Sequence, residues 1–375
     1  MSNRKKRAIS GILAGTSGSV LLQVTTLIVT PFYLDLTSQE IFGLWLTLFA
    51  ILGWIKIGDL GLGMALTRRA VEAIELEDYK LLSRLTYGAI LPALSVGFVV
   101  VSLGFLATEY LVALFNITSE LENSFVKTFH TLLFVALLKS ALGTFGSLID
   151  AKQHIAFLHV RNTVVSLLTT MLTLVFLFLD YGILSFGYGL LFEALIMPFV
   201  DITYLRIIDK KIIFFPIKTS KKEIISLFKF GGPFQILKIT NLVNTNVDNI
   251  FIAAIIGAAS VPVYVFSGKL AFLFSVFLIG IIPSMLFPGI SQLFEQKDLN
   301  KISNVYFKLS NMALRMGILF GVIYFILNKS FVSAWVGIEN YAGYSLTLIF
   351  IIWIILESFI RGITIIVYSS GKING

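Results

Sequence analysis

Residues 86–109 read TYGAILPALSVGFVVVSLGFLATE, and the only charged residue among them is the final Glu109. An α-helix needs about 20 mostly apolar residues to cross the hydrocarbon core of a bilayer. Nine further stretches of this kind occur, at residues 12–34, 41–66, 125–148, 161–180, 183–205, 229–255, 260–288, 304–327 and 342–367. The sequence therefore predicts an all-α integral membrane protein with about ten transmembrane helices.

The composition excludes most soluble classes of protein. Hydrophobic residues make up 57% of the 375 residues, charged residues make up 13%, and the mean hydropathy is +0.91. The chain has no cysteine, and its three histidines lack the spacing of metal ligands. No phosphate-binding loop follows the Walker A pattern, and the longest predicted external connection is too short to fold as a catalytic domain. We therefore expect a protein that is not an enzyme and has no cofactor.

Lysine and arginine are unevenly divided between the predicted connections. Eighteen lie in one alternate set, formed by the N-terminal arm, residues 68–84, 149–160, 206–224 and 289–303, and the C-terminal tail. The other set, residues 35–40, 110–124, 181–182, 256–259 and 328–341, contains only Lys329. The positive-inside rule then places both termini in the cytoplasm. The net charge of +8 is thus a signal of topology and not of nucleic-acid binding. Anionic lipid headgroups are a further candidate partner for residues 206–224.

The chain also carries a weak internal repeat. A shift of 220 residues aligns Gly11 with Gly231 and residues 42–45 with residues 262–265. Six predicted spans fit in that interval, so both copies enter the membrane in the same orientation, as in transporters whose substrate site lies between two lobes. The predicted domains are an N-terminal lobe (1–205), a basic cytoplasmic linker (206–228) and a C-terminal lobe (229–375). The repeat predicts that two more spans, about 50 residues, would complete the second lobe.

Five short motifs carry a resemblance to a known family. They are Phe42-Gly43-Leu44-Trp45, Asp59-Leu-Gly-Leu-Gly63 with Arg68-Arg69, Gly231-Gly232-Pro233 at the start of the seventh span, Val247-Asp248-Asn249-Ile250, and Val263-Tyr264 followed by Gly268-Lys269-Leu270. With these motifs in this order, the chain resembles the polysaccharide-repeat-unit (O-antigen type) flippases of the multidrug/oligosaccharidyl-lipid/polysaccharide exporter superfamily. Members usually have twelve or more spans, so the chain departs from the family in lacking the last two.

The resemblance implies a function, a location and partners. The implied substrate is an undecaprenyl-diphosphate-linked oligosaccharide, which crosses the bacterial inner membrane by alternating access for the assembly of O-antigen, capsule or exopolysaccharide. The implied partners are this lipid-linked substrate, membrane lipids, and a polysaccharide polymerase with its chain-length protein. Nucleic acid is not among them.

Ionisable residues inside the spans are the candidate binding residues, because each costs about 2.5–3.5 kcal/mol to insert and therefore usually faces a cavity or a partner. The deep cations singled out as candidates are Lys139, Lys238, Lys269 and Arg315, with Lys56 and Arg361 nearer the cytoplasmic side. The acids singled out with them are Asp59, Glu193, Asp248 and Glu357. Lys139, Lys269 and Arg315 have no acid nearby in the sequence, and Lys269 and Arg315 are the preferred ligands of the diphosphate.

Two helical stripes add polar candidates. Lys238, Asn241, Thr245 and Asp248 recur at intervals of 3, 4 and 3 residues, with Asn244 beside them, and Ser19, Gln23, Thr26 and Thr30 recur at 4, 3 and 4. Such a stripe is either a cavity wall or a hydrogen-bonding contact between helices, because asparagine, serine and threonine also join packed helices in membranes.

Export without ATP requires an ion gradient or the membrane potential. Asp59 and Asp248 are candidate carriers of a proton or a sodium ion, because burial can bring a carboxylate towards neutrality at working pH. The competing interpretation is that they neutralise Lys56 and Lys238.

Three functions therefore stay open at the level of sequence. The first is the flippase. The second is an ion-coupled multidrug exporter, for which an acid-rich cavity would be expected, whereas the candidate residues named above are six cations and four acids. The third is an inactive fragment or scaffold in an envelope-assembly complex.

Overall fold

The computed structural model describes residues 3–55, 61–212, 219–276 and 299–369, with only the backbone for residues 3–9, 222, 230–238, 240–246, 276, 299–300 and 361–369. This part of the chain contains twelve α-helices and no strand. The helices are α1 (Asn3–Leu36), α2 (Gln39–Ile55), α3 (Leu62–Glu75), α4 (Tyr79–Leu114), α5 (Ser119–Leu142), α6 (Thr144–Ala151), α7 (Ile155–Phe178), α8 (Leu184–Ile208), α9 (Lys221–Ile255), α10 (Ser260–Val276), α11 (Leu299–Val336) and α12 (Tyr344–Ser369). The all-α prediction is confirmed.

Several of these helices have the length and composition of membrane spans. Among the described residues, five segments meet both requirements: Ser10–Leu36, Tyr79–Leu114, Ser119–Ala151, Ile155–Phe178 and Lys301–Val336. Shorter apolar helices cover Gln39–Ile55, Ser260–Ser275 and Tyr344–Ile360. Each of the ten predicted stretches contains a helix. The chain is thus a multi-pass membrane protein, and the topology of its termini stays a prediction.

The second predicted span, residues 41–66, is not a single helix, and this prediction was wrong. α3 begins after Gly61, whose φ of 72° and ψ of 11° place it in the left-handed region. A right-handed helix cannot continue through that conformation, which glycine adopts without the steric cost of a side chain. The apolar pattern continues across the break, so hydropathy alone does not reveal it.

The seventh span also begins earlier than predicted. α9 starts at Lys221, because Ser220 and Glu223 form a capping box. The Ser220 hydroxyl accepts from the Glu223 amide at 3.2 Å, and the Glu223 carboxylate accepts from the Ser220 amide at 2.8 Å. Gly231-Gly232-Pro233 therefore lies inside the helix and does not open it. Helices α8 and α9 take up both ends of the predicted linker 206–228.

The chain forms two compact units, Met1–Val261 and Pro262–Gly375. α9 belongs to the first unit, where it packs against α2, α3 and α4. Leu227 near its start is fully buried in one apolar core with Leu66 of α3 and Leu85 of α4. The compact units divide after Val261, whereas the repeat predicts lobes that are separated by the linker 206–228. A division into compact units does not test the repeat, so the lobe boundaries stay a prediction.

Small residues set the distance between α1 and α7 in the first unit. A Cβ atom added at Gly11 would lie 3.4 Å from the Ile155 side chain, and one at Gly15 would lie 3.0 Å from the His159 ring. Gly18 faces Thr163 in the same register, so the two helices run parallel. Such close approach provides the van der Waals contact that holds membrane helices together.

The Phe42–Trp45 motif packs around one aromatic ring of α8. The Trp45 ring stacks on Phe186 with 4.6 Å between centroids, and Tyr33 of α1 meets the same ring edge-on at 5.1 Å. Phe42 is buried beside them, at 6.1 Å from Phe186. This motif therefore has a packing role that joins α1, α2 and α8.

The second unit contains α11 and α12 as a helical hairpin that also packs on α10. A buried polar network lies between these three helices. The Tyr324 hydroxyl donates to the Ser267 carbonyl at 2.7 Å, and the Asn328 amide donates to the Tyr324 hydroxyl at 3.0 Å. Thr347 of α12 accepts from the Tyr341 hydroxyl or donates to it at 3.0 Å. These bonds satisfy polar groups that would be costly to leave unpaired away from water.

Candidate substrate-binding residues

Helix α8 carries two acidic residues, Glu193 and Asp201, that both form ion pairs. They lie eight residues apart, which corresponds to about 12 Å along a helix. α8 packs against α5 on one side and α7 on another, and each acid meets a cation from a different neighbour. The two pairs therefore differ in both partner and surroundings.

The first pair joins Glu193 to Lys139 of α5. The Lys139 Nζ lies 2.8 Å from the Glu193 Oε1, and the two side chains are 19% and 16% exposed. The sequence indicated that Lys139 has no acidic partner, but the structure gives it one, Glu193. The interpretation was wrong because the partner is 54 residues away in the chain and belongs to a helix that does not follow α5 directly. The role of Lys139 in substrate binding stays a prediction.

Close to this pair, α5 ends at a glycine and α8 contains a proline. α5 ends just before Gly143, where an added Cβ atom would lie 2.6 Å from the carbonyl oxygen of Lys139. In α8, Pro198 has no amide hydrogen and cannot donate to the carbonyl of Ala194, which is next to Glu193. The ion pair therefore lies close to an interruption in the hydrogen-bond ladder of α8, whereas the Lys139 carbonyl of α5 still accepts from the Gly143 amide at 3.1 Å.

The second pair joins Asp201 to Arg161 of α7, and neither residue is among the candidates predicted from the sequence. The Arg161 guanidinium donates to the Asp201 Oδ2, and the side chains are 11% and 3% exposed. The other carboxylate oxygen of Asp201 is buried with no hydrogen-bond partner among the described residues. Residues 161 and 201 lie at nearly equal distances from the predicted turn at 181–182, so the symmetry of the α7–α8 hairpin is the signal that could have found the pair.

The two preferred diphosphate ligands both lie in the second unit. Lys269 is half-buried on α10, and Arg315 is exposed on α11. Neighbouring Gly268 permits close packing, because an added Cβ atom would lie 2.6 Å from the Phe350 ring of α12. This contact fixes the part of α10 from which Lys269 projects.

The stripe on the seventh span lies on α9. Lys238, Asn241, Asn244 and Thr245 are all within the helix, and the exposed Asp248 follows one turn later. The helical backbone confirms that residues spaced by 3, 4 and 3 share a face. Their roles stay predictions. Lys56 and Asp59 lie outside the described residues.

The residues of the polar stripe on α1 differ in how far they are buried. Gln23 is half-buried, Thr26 is exposed and Thr30 is buried. The Thr26 hydroxyl donates to the Leu22 carbonyl at 2.9 Å, and the Thr30 hydroxyl donates to the Thr26 carbonyl at 2.7 Å. These bonds to the preceding turn satisfy the hydroxyl hydrogens within the helix. They do not decide between a cavity wall and a helix contact.

A further cluster lies outside the predicted spans, around Asp209. Its carboxylate accepts from Lys152 Nζ at 2.6 Å, from the Tyr79 hydroxyl at 3.1 Å and from the Lys211 amide at 3.0 Å. Burial alone raises the pKa of Asp209, but the hydrogen bonds and the charge of Lys152 outweigh it, so the pKa is lower than usual. Asp209 therefore ties the end of α8 to the start of α4 and to the α6–α7 turn.

The sequence matches the family described as "Polysaccharide biosynthesis protein" over residues 7–294. The chain belongs to this family. No curated protein matches it. The match spans all of the first unit from residue 7 onward and the start of the second, so it includes α8 and both of its ion pairs.

Solved structures show which fold this polysaccharide biosynthesis protein has. An inward-facing multidrug resistance MATE-family transporter of the MOP superfamily is similar with a TM-score of 0.72 and 13% identity, over 97% of this chain and 85% of that one. An outward-facing MATE-family transporter gives 0.61 at 12% identity, over 99% and 96%. A MOP superfamily transporter from Pyrococcus furiosus gives 0.59 at 12%, over 99% and 96%. This family member thus has the fold of a MOP-superfamily membrane transporter.

Proposed function

We propose that this protein moves an undecaprenyl-diphosphate-linked oligosaccharide from the inner to the outer leaflet of a bacterial inner membrane by alternating access. The observation that carries the proposal is the combination of family and fold. The chain belongs to a polysaccharide biosynthesis family, and its fold is that of membrane exporters. A transporter in polysaccharide assembly must carry a building block or a product, and a lipid-linked repeat unit is the form in which a sugar chain can stay anchored while it crosses.

The charges in the spans support an anionic substrate. In this proposal the diphosphate is bound by cations and the sugars by amides and hydroxyls, and the residues are Lys56, Lys139, Lys238, Lys269, Arg315, Gln23, Asn241, Asn244 and Thr245. Asp59 and Asp248 are proposed as the ion-coupling carboxylates. Lysine and arginine suit phosphate groups because they supply charge-assisted hydrogen bonds.

A multidrug exporter is the second candidate, and the fold likeness to multidrug MATE transporters favours it. The related MOP transporter from Pyrococcus furiosus is described as having a binding pocket of reverse polarity that suggests a different function. For the present chain, the cations proposed above as ligands favour the lipid-linked anion.

The test is rescue of a flippase-deleted bacterium in which the lipid-linked repeat unit accumulates on the cytoplasmic leaflet. We expect the 375-residue chain to clear this accumulation, and Lys238→Ala or Arg315→Ala to abolish rescue without loss of membrane insertion. The chain and its variants could instead all fail to clear the accumulation while the same cells export a cationic dye. That result would establish the multidrug exporter.

The proposed orientation can be tested separately, because the chain has no cysteine. Single variants Lys5→Cys and Lys329→Cys can be labelled with a membrane-impermeant maleimide. We expect Lys329→Cys to react in intact spheroplasts and Lys5→Cys to react only after lysis. The reverse pattern would overturn the proposed topology.

A further inference from the structure

We propose that Glu193 is an internal counter-ion that competes with the anionic group of the substrate for Lys139. The proposal rests on the proposed function only in naming that group as a lipid diphosphate. In the empty protein, Lys139 is neutralised by Glu193. During transport, the diphosphate takes the ammonium group, and Glu193 then reclaims it and promotes release.

The position of the pair is set by close helix packing. On α8, a Cβ atom added at Gly187 would lie 3.5 Å from Thr128 and 3.6 Å from Thr131 of α5. Glu193 lies six residues beyond this contact on α8, and Lys139 lies eight residues beyond Thr131 on α5. The two helices therefore run parallel, and the side chains of Lys139 and Glu193 meet further along the same interface. The resulting distance of 2.8 Å is that of a direct charge-assisted hydrogen bond.

The pair is also accessible in part. About one-sixth to one-fifth of each side chain is exposed, which is several times the exposure of Asp201. Charged groups in membrane spans usually face a cavity or a partner, because exposure to lipid is costly. An anion that reaches the exposed part of the Lys139 side chain could contact its ammonium group without first opening the helix contact.

The described parts of α2, α4 and α7 supply no alternative charge at this level, and α6, which also packs on α5 and α8, has one acid, Asp150, near its C-terminal end. Along the described parts of α2, α4 and α7, the sequence between Ile41 and Ile55, between Tyr87 and Glu109, and between Arg161 and Phe178 contains no titratable side chain. On α5 itself, His130 lies more than two turns away and contacts Thr108 of α4. On the α8 side, Asp201 is paired with Arg161. Lys139 and Glu193 therefore respond chiefly to each other and to an incoming ion.

The chemistry of the two side chains permits exchange. Lysine carries a compact charge on a flexible stem, and its three donors can turn from one acceptor to another. A diphosphate offers more charge and more acceptor oxygens than a carboxylate, so it can displace Glu193. The displaced carboxylate stays within reach and repels the bound anion, because the low dielectric of the interior strengthens that repulsion.

The interrupted backbone of α8 beside the pair suits such a cycle. Pro198 leaves the Ala194 carbonyl, next to Glu193, without its usual donor. Separation of the two charges can thus be accompanied by a small change in the angle of α8.

The experiment is a binding assay on the full chain in nanodiscs, with inorganic diphosphate and a polyprenyl diphosphate as probes. We expect Glu193→Gln to lower the Kd of both probes by about tenfold or more and to slow dissociation. Lys139→Gln should raise the Kd by a similar factor. Glu77→Gln, which removes the same charge from an exposed side chain, is the matched control and should leave the Kd unchanged.

An unchanged or higher Kd in Glu193→Gln would overturn the proposal and assign the pair a packing role. If that variant does not fold, the double variant Lys139→Glu/Glu193→Lys restores the pair in reverse. Retained binding of diphosphate by this double variant supports the proposal, and loss of binding overturns it. The proposed function can fail while this proposal holds. In that case the wild-type chain does not move the lipid-linked oligosaccharide in reconstituted vesicles, but Glu193→Gln still binds inorganic diphosphate more tightly than the wild type does.

Discussion

The two ion pairs of α8 use similar chemistry in different surroundings. Arg161 and Asp201 are almost removed from solvent and join consecutive helices, whereas Lys139 and Glu193 are partly accessible and join helices that are separated in the chain. A buried pair is held because either partner alone would be an uncompensated charge. An accessible pair can exchange partners. If Lys139 binds the substrate as proposed, accessibility, more than the presence of charge, separates a structural ion pair from a binding group.

The largest expected effect is at the buried pair. Asp201→Ala leaves the Arg161 guanidinium buried without its acid, and we expect a loss of about 3–5 kcal/mol in the free energy of unfolding. Denaturation in mixed micelles, followed by tryptophan fluorescence, measures it. Asp201→Asn is the milder control because it keeps a hydrogen-bond acceptor. If Asp201→Ala lowers the free energy of unfolding less than Glu193→Ala does, the distinction between the two pairs is contradicted.

The Asp209 cluster provides a pair of intermediate burial outside the spans, and pH can test it. The pKa of Asp209 is lower in the folded protein than in the unfolded chain, because Lys152 and Tyr79 donate to its carboxylate. The carboxylate therefore binds protons more weakly when folded. Its contribution to stability is fully present above the unfolded pKa of about 4 and is lost as the pH falls through the lower folded value.

Asp209→Asn removes this titration. We expect the wild-type protein to lose its advantage over the variant as the pH falls from about 5 towards 3, with thermal unfolding in detergent as the measurement. A constant difference between the two proteins over that range would show that the cluster does not stabilise the fold through its charge.

A smaller effect on stability is expected at the accessible pair. Glu193→Ala should lower the free energy of unfolding by about 1.5–3 kcal/mol, the usual contribution of a hydrogen bond to a charged group. The same denaturation assay measures it, with the reversed double variant as a control that restores the charge pair. A loss as large as that of Asp201→Ala would assign both pairs the same structural role.

The smallest effect is expected at the Lys211–Glu77 pair, whose side chains are 65% and 72% exposed. The hydrogen bond from Lys211 to Glu77 raises the pKa of Lys211, but water and salt screen such a pair. We expect Glu77→Gln to leave the unfolding midpoint within experimental error at 0.15 M salt. A clear shift that persists at 1 M salt would show that exposure does not predict the strength of these pairs.

The sequence predicts the helices well, because each span is a continuous stretch of mostly apolar residues. It also identifies Lys139 and Glu193 as charged residues inside spans. It does not pair them, since their contact depends on the packing of α5 against α8, and no local pattern encodes which non-consecutive helices are neighbours. The start of α9 was missed although its signal, Ser220 followed by Glu223, is local.

Other parts of the candidate site stay predictions for a different reason. The stripe on α9 has the helical backbone that its spacing requires, but the spacing of Lys238 and Asn241 is equally consistent with a cavity wall and with a helix contact. For Lys269 and Arg315, the sequence gives the charge and the helix. It does not give the route by which a ligand would reach them.

The burial of Leu227 in the core of the first unit has a consequence for synthesis in the cell. The unit cannot complete its core when the sixth predicted span, residues 183–205, leaves the insertion machinery, because the start of α9 is still missing. A split gene cut within the predicted linker 206–228 would separate α9 from α2, α3 and α4. A cut in the turn at residues 256–259 would leave that packing within one polypeptide, so we expect the order of assembly to follow the compact units and not the repeat.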